Sequence, residues 1–309
     1  MAFLRVFGCC LPPRVVDNAA LAARTGQDAE AIEKNTGIRE RRYAADGVSV
    51  ADLGLAAAQD CLSKAGMTAQ DAGLILFSSG SMERSFPGPA SVLAARLGLT
   101  TTPAIDLPIA SAGSLIGIAL AADLAARYGN VLVVAAEIMS RRISDASSDT
   151  AALFGDGAGA CVVSRDSGFA RIVDSAIYTD GNYAESLSLA HGGTLEMKGL
   201  EVIMQASRKI PRAIADLVAK HGMQPGNVGV FLMHQANANL IRKVAAAMKV
   251  PEEKFYCNID RYGNTSSASL LIAAAEWRDA NPAHLAAPLV LAAFGAGFNW
   301  GAVLAAPLR

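Results

Sequence analysis

Ser111 is the first residue in the chain whose type and position could support covalent chemistry. It follows a short strand-like stretch, residues 106–110, and stands in a small-residue turn that opens a long apolar helix. Free N–H groups and the positive end of the helix dipole would stabilise negative charge on a nucleophile or on a developing oxyanion there. A serine in this position can equally act as a helix N-cap without any part in catalysis. The segment alone leaves both roles open.

Two later segments end in polar side chains that could donate hydrogen bonds or transfer protons. An apolar run, residues 228–233, is followed by His234-Gln-Ala-Asn237, and a Gly-containing turn presents Asn264 just before a helix. A lone histidine at a strand end is more often structural than catalytic. An asparagine in a turn before Thr or Ser is also an ordinary way to begin a helix. Each segment is therefore weak evidence when it is considered alone.

The fourth segment is a glycine-rich turn near the end of the sequence. Residues 294–302 read Phe-Gly-Ala-Gly-Phe-Asn-Trp-Gly-Ala. Small residues allow the backbone to approach a ligand closely and leave N–H groups available as donors. The four segments in this order predict an active site far more strongly than any one of them.

Apolar runs of strand length alternate with longer helical segments, which predicts an α/β protein. The strand-like runs are continuously apolar, as expected for strands that helices cover on both faces. The order of elements is similar in the two parts of the chain, so we predict two similar halves, residues 1–166 with the Ser111 segment and residues 167–309 with the His234 and Asn264 segments. The predicted strands are residues 73–79, 130–136, 170–174, 228–233 and 288–294, and the predicted helices are residues 90–97, 111–128, 201–222, 238–248 and 267–281.

The composition and charge of the chain indicate which classes of binding partner it lacks the basic residues to bind. The chain has 309 residues, of which 52% are hydrophobic and 18% are charged, and its formal charge is −1. It therefore has ample material for a large core and no basic excess that would favour nucleic acid or an anionic membrane surface. Two local basic clusters could contact a small acidic carrier or a phosphate, or could form solvated surface: Arg39, Arg41 and Arg42, and Arg208, Lys209 and Arg212.

The cysteines and the N-terminal segment predict a reduced, cytoplasmic protein. The five cysteines show neither CxxC spacing nor the Cys/His pairing of a zinc site, and we expect them to be buried thiols. The first residues lack a long apolar stretch with a cleavage site, and no uncharged run reaches membrane-spanning length.

Taken together, the motifs resemble the 3-oxoacyl-(acyl carrier protein) synthase III family over about the whole chain. In this family's order they are Thr36-Gly-Ile-Arg-Glu-Arg-Arg42, Ser111 at the helix start, Phe154-Gly-Asp-Gly-Ala-Gly159, Met197-Lys-Gly-Leu-Glu-Val202, His234-Gln-Ala-Asn237, Tyr262-Gly-Asn-Thr-Ser266 and the turn after Phe294. The resemblance implies a thiolase-like fold of layered αβαβα type and a homodimer. It also implies a decarboxylative condensation between an acyl group from acyl-CoA and a malonyl thioester on acyl carrier protein or another carrier, with no metal or redox cofactor.

The resemblance further implies a role for each matching residue. Ser111 would be the acyl acceptor, while His234 and Asn264 would bind the malonyl thioester carbonyl and stabilise the enolate. The backbone N–H groups of Ser111 and Ala296 would form an oxyanion hole, and Phe86 would reach the acyl pocket of a neighbouring subunit. The remaining substrate contacts would come from Met197, Gly199, Asn237 and Phe294.

One departure from the family concerns the nucleophile itself, because the family has a cysteine where this chain has Ser111. A thiol with a pKa of about 8.5, lowered further at a helix start and beside a histidine, ionises appreciably at neutral pH. Serine instead needs a positioned general base, and its ester is a poorer acyl donor than a thioester. Two origins fit the sequence: an engineered Cys→Ser change, or a natural serine-bearing subgroup that loads unusual acyl starters.

Other departures concern the substrates. Ala31 and Asn35 stand where typical members have a Trp that stacks on adenine and an Arg for the phosphates, and Ser148 and Asn239 each replace a frequent Arg. The donor and the carrier either differ from the usual pair or are bound by other residues.

Two rival hypotheses remain from the sequence. A Ser111–His234 acyltransferase would move an acyl group to a hydroxyl, an amine or a carrier without forming a carbon–carbon bond. A catalytically silent subunit of a heterodimeric synthase is the other possibility, although such a subunit would have no need of both His234 and Asn264.

Overall fold

The computed structural model describes residues 1–308, apart from the side chains of Ser148 and Asp149. Its strands are β1 (Ala2–Cys10), β2 (Arg14–Asp17), β3 (Glu40–Tyr43), β4 (Leu74–Ser78), β5 (Ala104–Leu107), β6 (Asn130–Ile138), β7 (Asp156–Ser164), β8 (Ala170–Thr179), β9 (Leu187–Ser188), β10 (Glu196–Met197), β11 (Val230–Met233), β12 (Phe255–Tyr256), β13 (Leu289–Gly295) and β14 (Asn299–Pro307). Its helices are α1 (Asn18–Thr25), α2 (Ala29–Thr36), α3 (Val50–Ala65), α4 (Pro89–Arg96), α5 (Gly113–Tyr128), α6 (Ser148–Ala151), α7 (Gly199–Lys220), α8 (Ala238–Met248), α9 (Ile259–Tyr262) and α10 (Ser269–Ala280).

Two sets of five strands repeat the same topology. The order is β5-β4-β6-β7-β1 in the first set and β12-β11-β13-β14-β8 in the second. In each set the first three strands are parallel and the last two pair antiparallel. A short antiparallel pairing of β1 with β8 joins them into one ten-stranded sheet. The presence of two similar halves is thus confirmed. The predicted boundary at residue 166 lies in the segment between the end of β7 at Ser164 and the start of β8 at Ala170, and its exact position stays a prediction.

Helices cover both faces of each set of strands, which gives the five αβαβα layers. Helices α3 and α4 pack on the outer face of the first set, and α7 and α8 pack on the outer face of the second. Helices α5 and α10 form the central layer and belong to one core cluster with strands of both sets. Because the inner strands are covered twice, they are buried along almost their whole length, as the continuous runs predicted; these strands are β4, β6, β7, β11 and β13.

The central helix α10 lies very close to β7, and glycines in β7 make this possible. A Cβ atom at Gly157 would lie 2.9 Å from Ile272 Cδ1, and one at Gly159 would lie 2.4 Å from Leu271 Cβ. The Phe-Gly-Asp-Gly-Ala-Gly motif is therefore explained by close packing between a strand and a helix. This contact fixes the start of α10 relative to the first half.

The structure corrects the interpretation of the first basic cluster. Arg41 is fully buried, and its guanidinium donates to the carbonyls of Val16 and Ala152. The other two arginines of this cluster pair with carboxylates, Arg39 with Asp260 and Arg42 with Glu40. They do not form a shared cationic surface.

The cysteines are less uniform than predicted. Cys61 and Cys161 are buried, Cys9 and Cys10 are half-buried, and Cys257 is exposed because it follows β12 at the edge of the sheet. Burial raises the pKa of the Cys9 and Cys61 thiols to about 12, so both are protonated at neutral pH. Within the described part of the chain, no helix combines the length and apolar character needed to cross a membrane.

Candidate active site

A pocket of about 670 Å³, its mouth included, lies where loops after parallel strands of the two halves meet. Ser111 comes from the loop after β5, His234 from the end of β11, and Asn264 from the turn before α10. Each of these three residues is only 6% exposed. Seven of the residues predicted for the site line this pocket: Ser111, Met197, Gly199, His234, Asn237, Asn264 and Phe294.

Ser111 lies in a tight turn with left-handed backbone geometry. Its φ is +62°, and the N–H of Ala112 donates to the carbonyl of Ala110 at 2.7 Å, which closes a γ-turn around Ser111. Non-glycine residues seldom adopt this conformation, which costs on the order of 1–3 kcal/mol and persists only where its surroundings enforce it. Helix α5 begins at Gly113 with Ala112 as its N-cap, so Ser111 is not the helix cap.

The backbone N–H of Ser111 is already engaged. It donates to the hydroxyl of Ser266 at 3.1 Å, so an oxyanion at this position has to share or displace that hydroxyl. By contrast, no hydrogen bond to the Ser111 hydroxyl is found among residues 1–308, and the side chain is not paired with His234. The geometry therefore presents an unactivated hydroxyl at the pocket wall.

Gly295, at the end of β13, packs directly against the Ser111 turn. A Cβ atom at Gly295 would lie 2.2 Å from the Ala110 carbonyl oxygen and 2.9 Å from Ser111 Cβ. The close approach at Gly295 is therefore made to the Ser111 turn, and the approach to a ligand that the composition predicted stays a prediction. Gly295 lines the pocket, whereas Ala296, the predicted oxyanion-hole donor, is outside the set of lining residues.

His234 is a neutral, buried imidazole held by one side chain. Its Nδ1 lies 2.5 Å from the hydroxyl of Ser269, and its backbone N–H donates to the Ala292 carbonyl at 2.9 Å. Burial lowers the pKa of His234 to about 3, because an imidazolium would lose its hydration here. Its other ring nitrogen, Nε2, has no protein partner within residues 1–308.

Asn264 is fixed both through its backbone and through its side chain. Its N–H donates to the Leu153 carbonyl at 2.8 Å, and its carbonyl accepts from the Gly155 N–H at 3.1 Å. The Oδ1 atom accepts from the Ser266 N–H at 2.8 Å. This bond orients the amide, so that the Nδ2 group is the part available to the pocket.

Residues 264–269 therefore connect all three predicted catalytic residues. Ser266 binds the Ser111 N–H and the Asn264 amide, while Ser269 binds the His234 ring. The sequence signals only a turn and a helix start here, so the roles of these serines were not predicted. The run Thr-Ser-Ser-Ala-Ser after Asn264 was the one available signal, because it is rich in short hydroxyl side chains.

A buried carboxylate supports this segment from the first half. Glu137, at 0% exposure, accepts from the hydroxyls of Ser81 at 2.5 Å and Ser267 at 2.6 Å, and from the Gly80 N–H at 3.0 Å. Hydroxyl and amide donors compensate for the buried negative charge in place of a cation. The network ties the end of β4 to the turn that carries Ser266.

A second cavity of about 1020 Å³ adjoins the pocket and forms its outer part. The two cavities share Leu153, Met197, Gly199, Ile203 and Asn237, so they lie side by side with a common wall. The two positions that lack the family's Trp and Arg, Ala31 and Asn35, line the outer cavity. Ser148, the third such position, has its side chain outside the described part.

The amides at the start of α8 hold the wall of this outer cavity. Asn237 caps α8 through Oδ1, and its Nδ2 donates to the Asn35 carbonyl at 3.0 Å. Asn239, which replaces a frequent Arg of the family that the chain resembles, also donates to the Asn35 carbonyl, at 2.9 Å. Both side chains therefore have structural partners in α2.

Phe86 does not belong to the pocket of its own chain. Its side chain is 85% exposed, and it is absent from the residues that line the site. Its predicted contact with a neighbouring subunit stays a prediction.

Comparisons with known proteins agree with this architecture. Residues 105–181 match the family model of 3-oxoacyl-[acyl-carrier-protein (ACP)] synthase III, and residues 218–306 match the model of its C-terminal part. The beta-ketoacyl-[acyl-carrier-protein] synthase III of Oleidesulfovibrio alaskensis is 34% identical, covering 98% of both chains.

Solved structures show the same similarity. The 3-oxoacyl-[acyl-carrier-protein] synthase III of Aquifex aeolicus superimposes with a TM-score of 0.95 at 31% identity, over 99% of this chain and 100% of that one. The priming beta-ketosynthase of the R1128 polyketide biosynthetic pathway superimposes with a TM-score of 0.91 at 29% identity, over 100% of this chain and 96% of that one.

Proposed function

Because the chain belongs to the 3-oxoacyl-(acyl carrier protein) synthase III family of acyl-transferring condensing enzymes, we propose that it joins an acyl group to a malonyl thioester with loss of carbon dioxide. The observation that carries this proposal is the convergence of His234 and Asn264 on the pocket that Ser111 lines. Both side chains have one polar atom fixed by protein and another that faces no protein partner among residues 1–308. They can therefore bind one substrate oxygen together.

The decarboxylation half of the reaction fits these two donors. A malonyl thioester carbonyl would accept hydrogen bonds from Asn264 Nδ2 and from His234 Nε2. When the bond to the carboxylate breaks, its electron pair moves into the enolate, and carbon dioxide leaves. Preorganised N–H donors stabilise the charge that develops on the enolate oxygen in a site with little water. This step needs no metal or redox cofactor.

Acyl loading of Ser111 is the step that the geometry of this chain supports less well. The Ser111 hydroxyl would attack the acyl thioester, releasing the thiol and forming an ester, which the enolate carbon then attacks to give the 3-oxoacyl product. An unpaired hydroxyl is a weak nucleophile without a base. We therefore propose that acyl loading, rather than decarboxylation, limits turnover.

The proposal includes substrates and partners predicted from the family. Acyl-CoA would be the acyl donor, and acyl carrier protein or another carrier would bring the malonyl group to the pocket from the outer cavity beside Asn237. A homodimer in the cytoplasm would place Phe86 of one subunit near the acyl pocket of the other. The exposed aromatic ring of Phe86 supports this arrangement, since large exposed apolar side chains are common at interfaces.

The first experiment measures release of carbon dioxide from a malonyl thioester by the purified chain and by its Ser111→Cys variant. We expect release by both proteins, and we expect condensation with acyl-CoA to be faster for Ser111→Cys. Asn264→Ala should lower decarboxylation by about 100-fold, since one such donor is typically worth about 2.7–4 kcal/mol. Absence of carbon dioxide release from both the parent and Ser111→Cys would refute the proposal.

The rival hypotheses give different results in the same assays. An acyltransferase would form an ester or amide from acyl-CoA and an acceptor without decarboxylation. A silent subunit would not form a homodimer and would bind a second synthase chain tightly. Neither hypothesis needs two donors oriented toward one substrate oxygen, so the fixed orientations of His234 and Asn264 favour condensation.

A further inference from the structure

The hydroxyl of Ser269 stands between the backbone and the His234 ring. Its oxygen accepts from the Gln235 N–H at 3.0 Å and lies 2.5 Å from His234 Nδ1. The residue is 2% exposed and begins α10. No other hydrogen bond to this hydroxyl is found within residues 1–308, so His234 Nδ1 is the single acceptor available to its proton.

This contact distinguishes the two neutral forms of the histidine. If Nδ1 carried the proton, the Ser269 oxygen would accept two hydrogen bonds and its own buried O–H would have no acceptor. If Nδ1 is unprotonated, the O–H donates to it, and the imidazole proton resides on Nε2. An unpaired buried donor disfavours the first form by about tenfold or more.

We propose that Ser269 is a positioning residue that sets the Nε2–H form of His234. This inference rests on the proposed function for its catalytic consequence. In the Nε2–H form, His234 is a hydrogen-bond donor to the enolate oxygen. It cannot also accept the Ser111 proton, because Nδ1 is held by Ser269 and Nε2 already carries a proton. Ser269 thus favours decarboxylation and leaves Ser111 without a base.

The form of the ring can be observed without substrate by ¹⁵N NMR on histidine-labelled protein. Protonated and unprotonated ring nitrogens resonate far apart, and the His234 signals are identified by their loss in His234→Gln. We expect unprotonated Nδ1 and protonated Nε2 in the parent and in Ser269→Thr, which keeps the hydroxyl. A protonated Nδ1 in the parent would overturn the inference.

Two variants test the consequence for activity. Ser269→Ala removes the donor and should lower kcat/KM for malonyl decarboxylation at least tenfold, whereas Ser269→Thr should stay within threefold of the parent. Ser269→Asp offers an acceptor, so it should shift the proton to Nδ1, lower decarboxylation at least tenfold and leave acyl loading of Ser111 equal or faster.

Ser207→Ala is the matched control, because Ser207 is a partly exposed serine on α7, away from the pocket, whose hydroxyl donates to the Met204 carbonyl. A decarboxylation rate in Ser269→Ala equal to that of Ser207→Ala would overturn the positioning role. If the parent and Ser111→Cys both fail to decarboxylate, the proposed function fails, while the NMR experiment still decides the form of the ring. The parent and Ser269→Thr spectra give this answer even if Ser269→Ala does not fold.

Discussion

A single added methyl group at Gly295 should displace the turn that carries residue 111. The new Cβ would lie 2.2 Å from the Ala110 carbonyl oxygen, 2.7 Å from the Ala112 nitrogen and 2.9 Å from Ser111 Cβ. A Cβ atom essentially never lies within 3.0 Å of such atoms in proteins, so the turn or the strand has to move by about 0.8 Å to relieve the 2.2 Å contact. Two of the three contacts are backbone atoms, so a side-chain rotation cannot relieve them. Overpacking of this kind costs about 1–3 kcal/mol of stability.

The catalytic effect should exceed the effect on stability. A displacement of about 1 Å at a reacting group can lower the rate about 100-fold. We therefore expect Gly295→Ala, made in the Ser111→Cys background, to load acyl groups about 100-fold more slowly when adduct formation is followed by intact-protein mass spectrometry. Malonyl decarboxylation, which we propose to depend on His234 and Asn264, should fall less than tenfold.

Gly226→Ala is the matched control, because a Cβ at Gly226 would meet no atom within 4 Å and its φ is not in the left-handed region. It should load at the parental rate and unfold at the parental temperature. If Gly295→Ala loaded within threefold of its parent and unfolded together with Gly226→Ala, the predicted clash with the Ser111 turn would be ruled out.

Three further perturbations test other parts of the site. Because the pKa of His234 falls from 6.5 to about 3 on folding, the unfolded chain takes up a proton at a higher pH than the folded chain does. Protonation of the unfolded state should therefore lower the free energy of unfolding by about 2 kcal/mol between pH 8 and pH 5 in urea titrations. A His234→Gln variant that shows the same loss would contradict this. Glu137→Gln places an amide N–H donor among hydroxyl and N–H donors and should lower the free energy of unfolding by about 2–4 kcal/mol. Glu185→Gln, at an exposed position, should change the free energy of unfolding by no more than about 0.5 kcal/mol. Equal values for the two variants would exclude a supporting role for the Glu137 network. Phe86→Ala should leave the unfolding temperature of the chain unchanged and should shift the acyl preference of a homodimer toward longer acyl chains. If the parent protein elutes as a monomer in size-exclusion chromatography, this prediction is refuted.

The hydrophobic pattern predicted much of the fold, and the order of the motifs predicted seven of the residues that line the pocket. The bounds of α8 agree with the predicted residues 238–248, and α7 begins two residues earlier than predicted. The strands β7 and β14 were not predicted, because four of the nine residues in each are glycine or alanine and their place in the sheet depends on close packing by α10 and neighbouring strands.

The supporting contacts of the site could not be predicted from the sequence, because they join residues far apart in the chain. The bond from the Ser111 N–H to Ser266 spans 155 residues, and the bond from Ser267 to Glu137 spans 130. Local patterns show only that these serines occupy a turn. The N-cap role that the sequence left open for Ser111 is not observed for a similar reason, since contacts from Ser266 and Gly295 hold Ser111 outside the helix.

The repeated strand order gives the two halves equivalent loops, and the equivalent loops carry different polar residues of the site. The loop after β5 bears Ser111, and its counterpart after β12 bears Asn264. The loop after β4 bears Ser81, which binds Glu137, and its counterpart after β11 bears His234. Neither half therefore holds a complete set of reacting groups. A chain cut between β7 and β8 would separate Ser111, the proposed acceptor, from His234 and Asn264, the proposed donors, and the return of turnover would report reassembly of the two fragments.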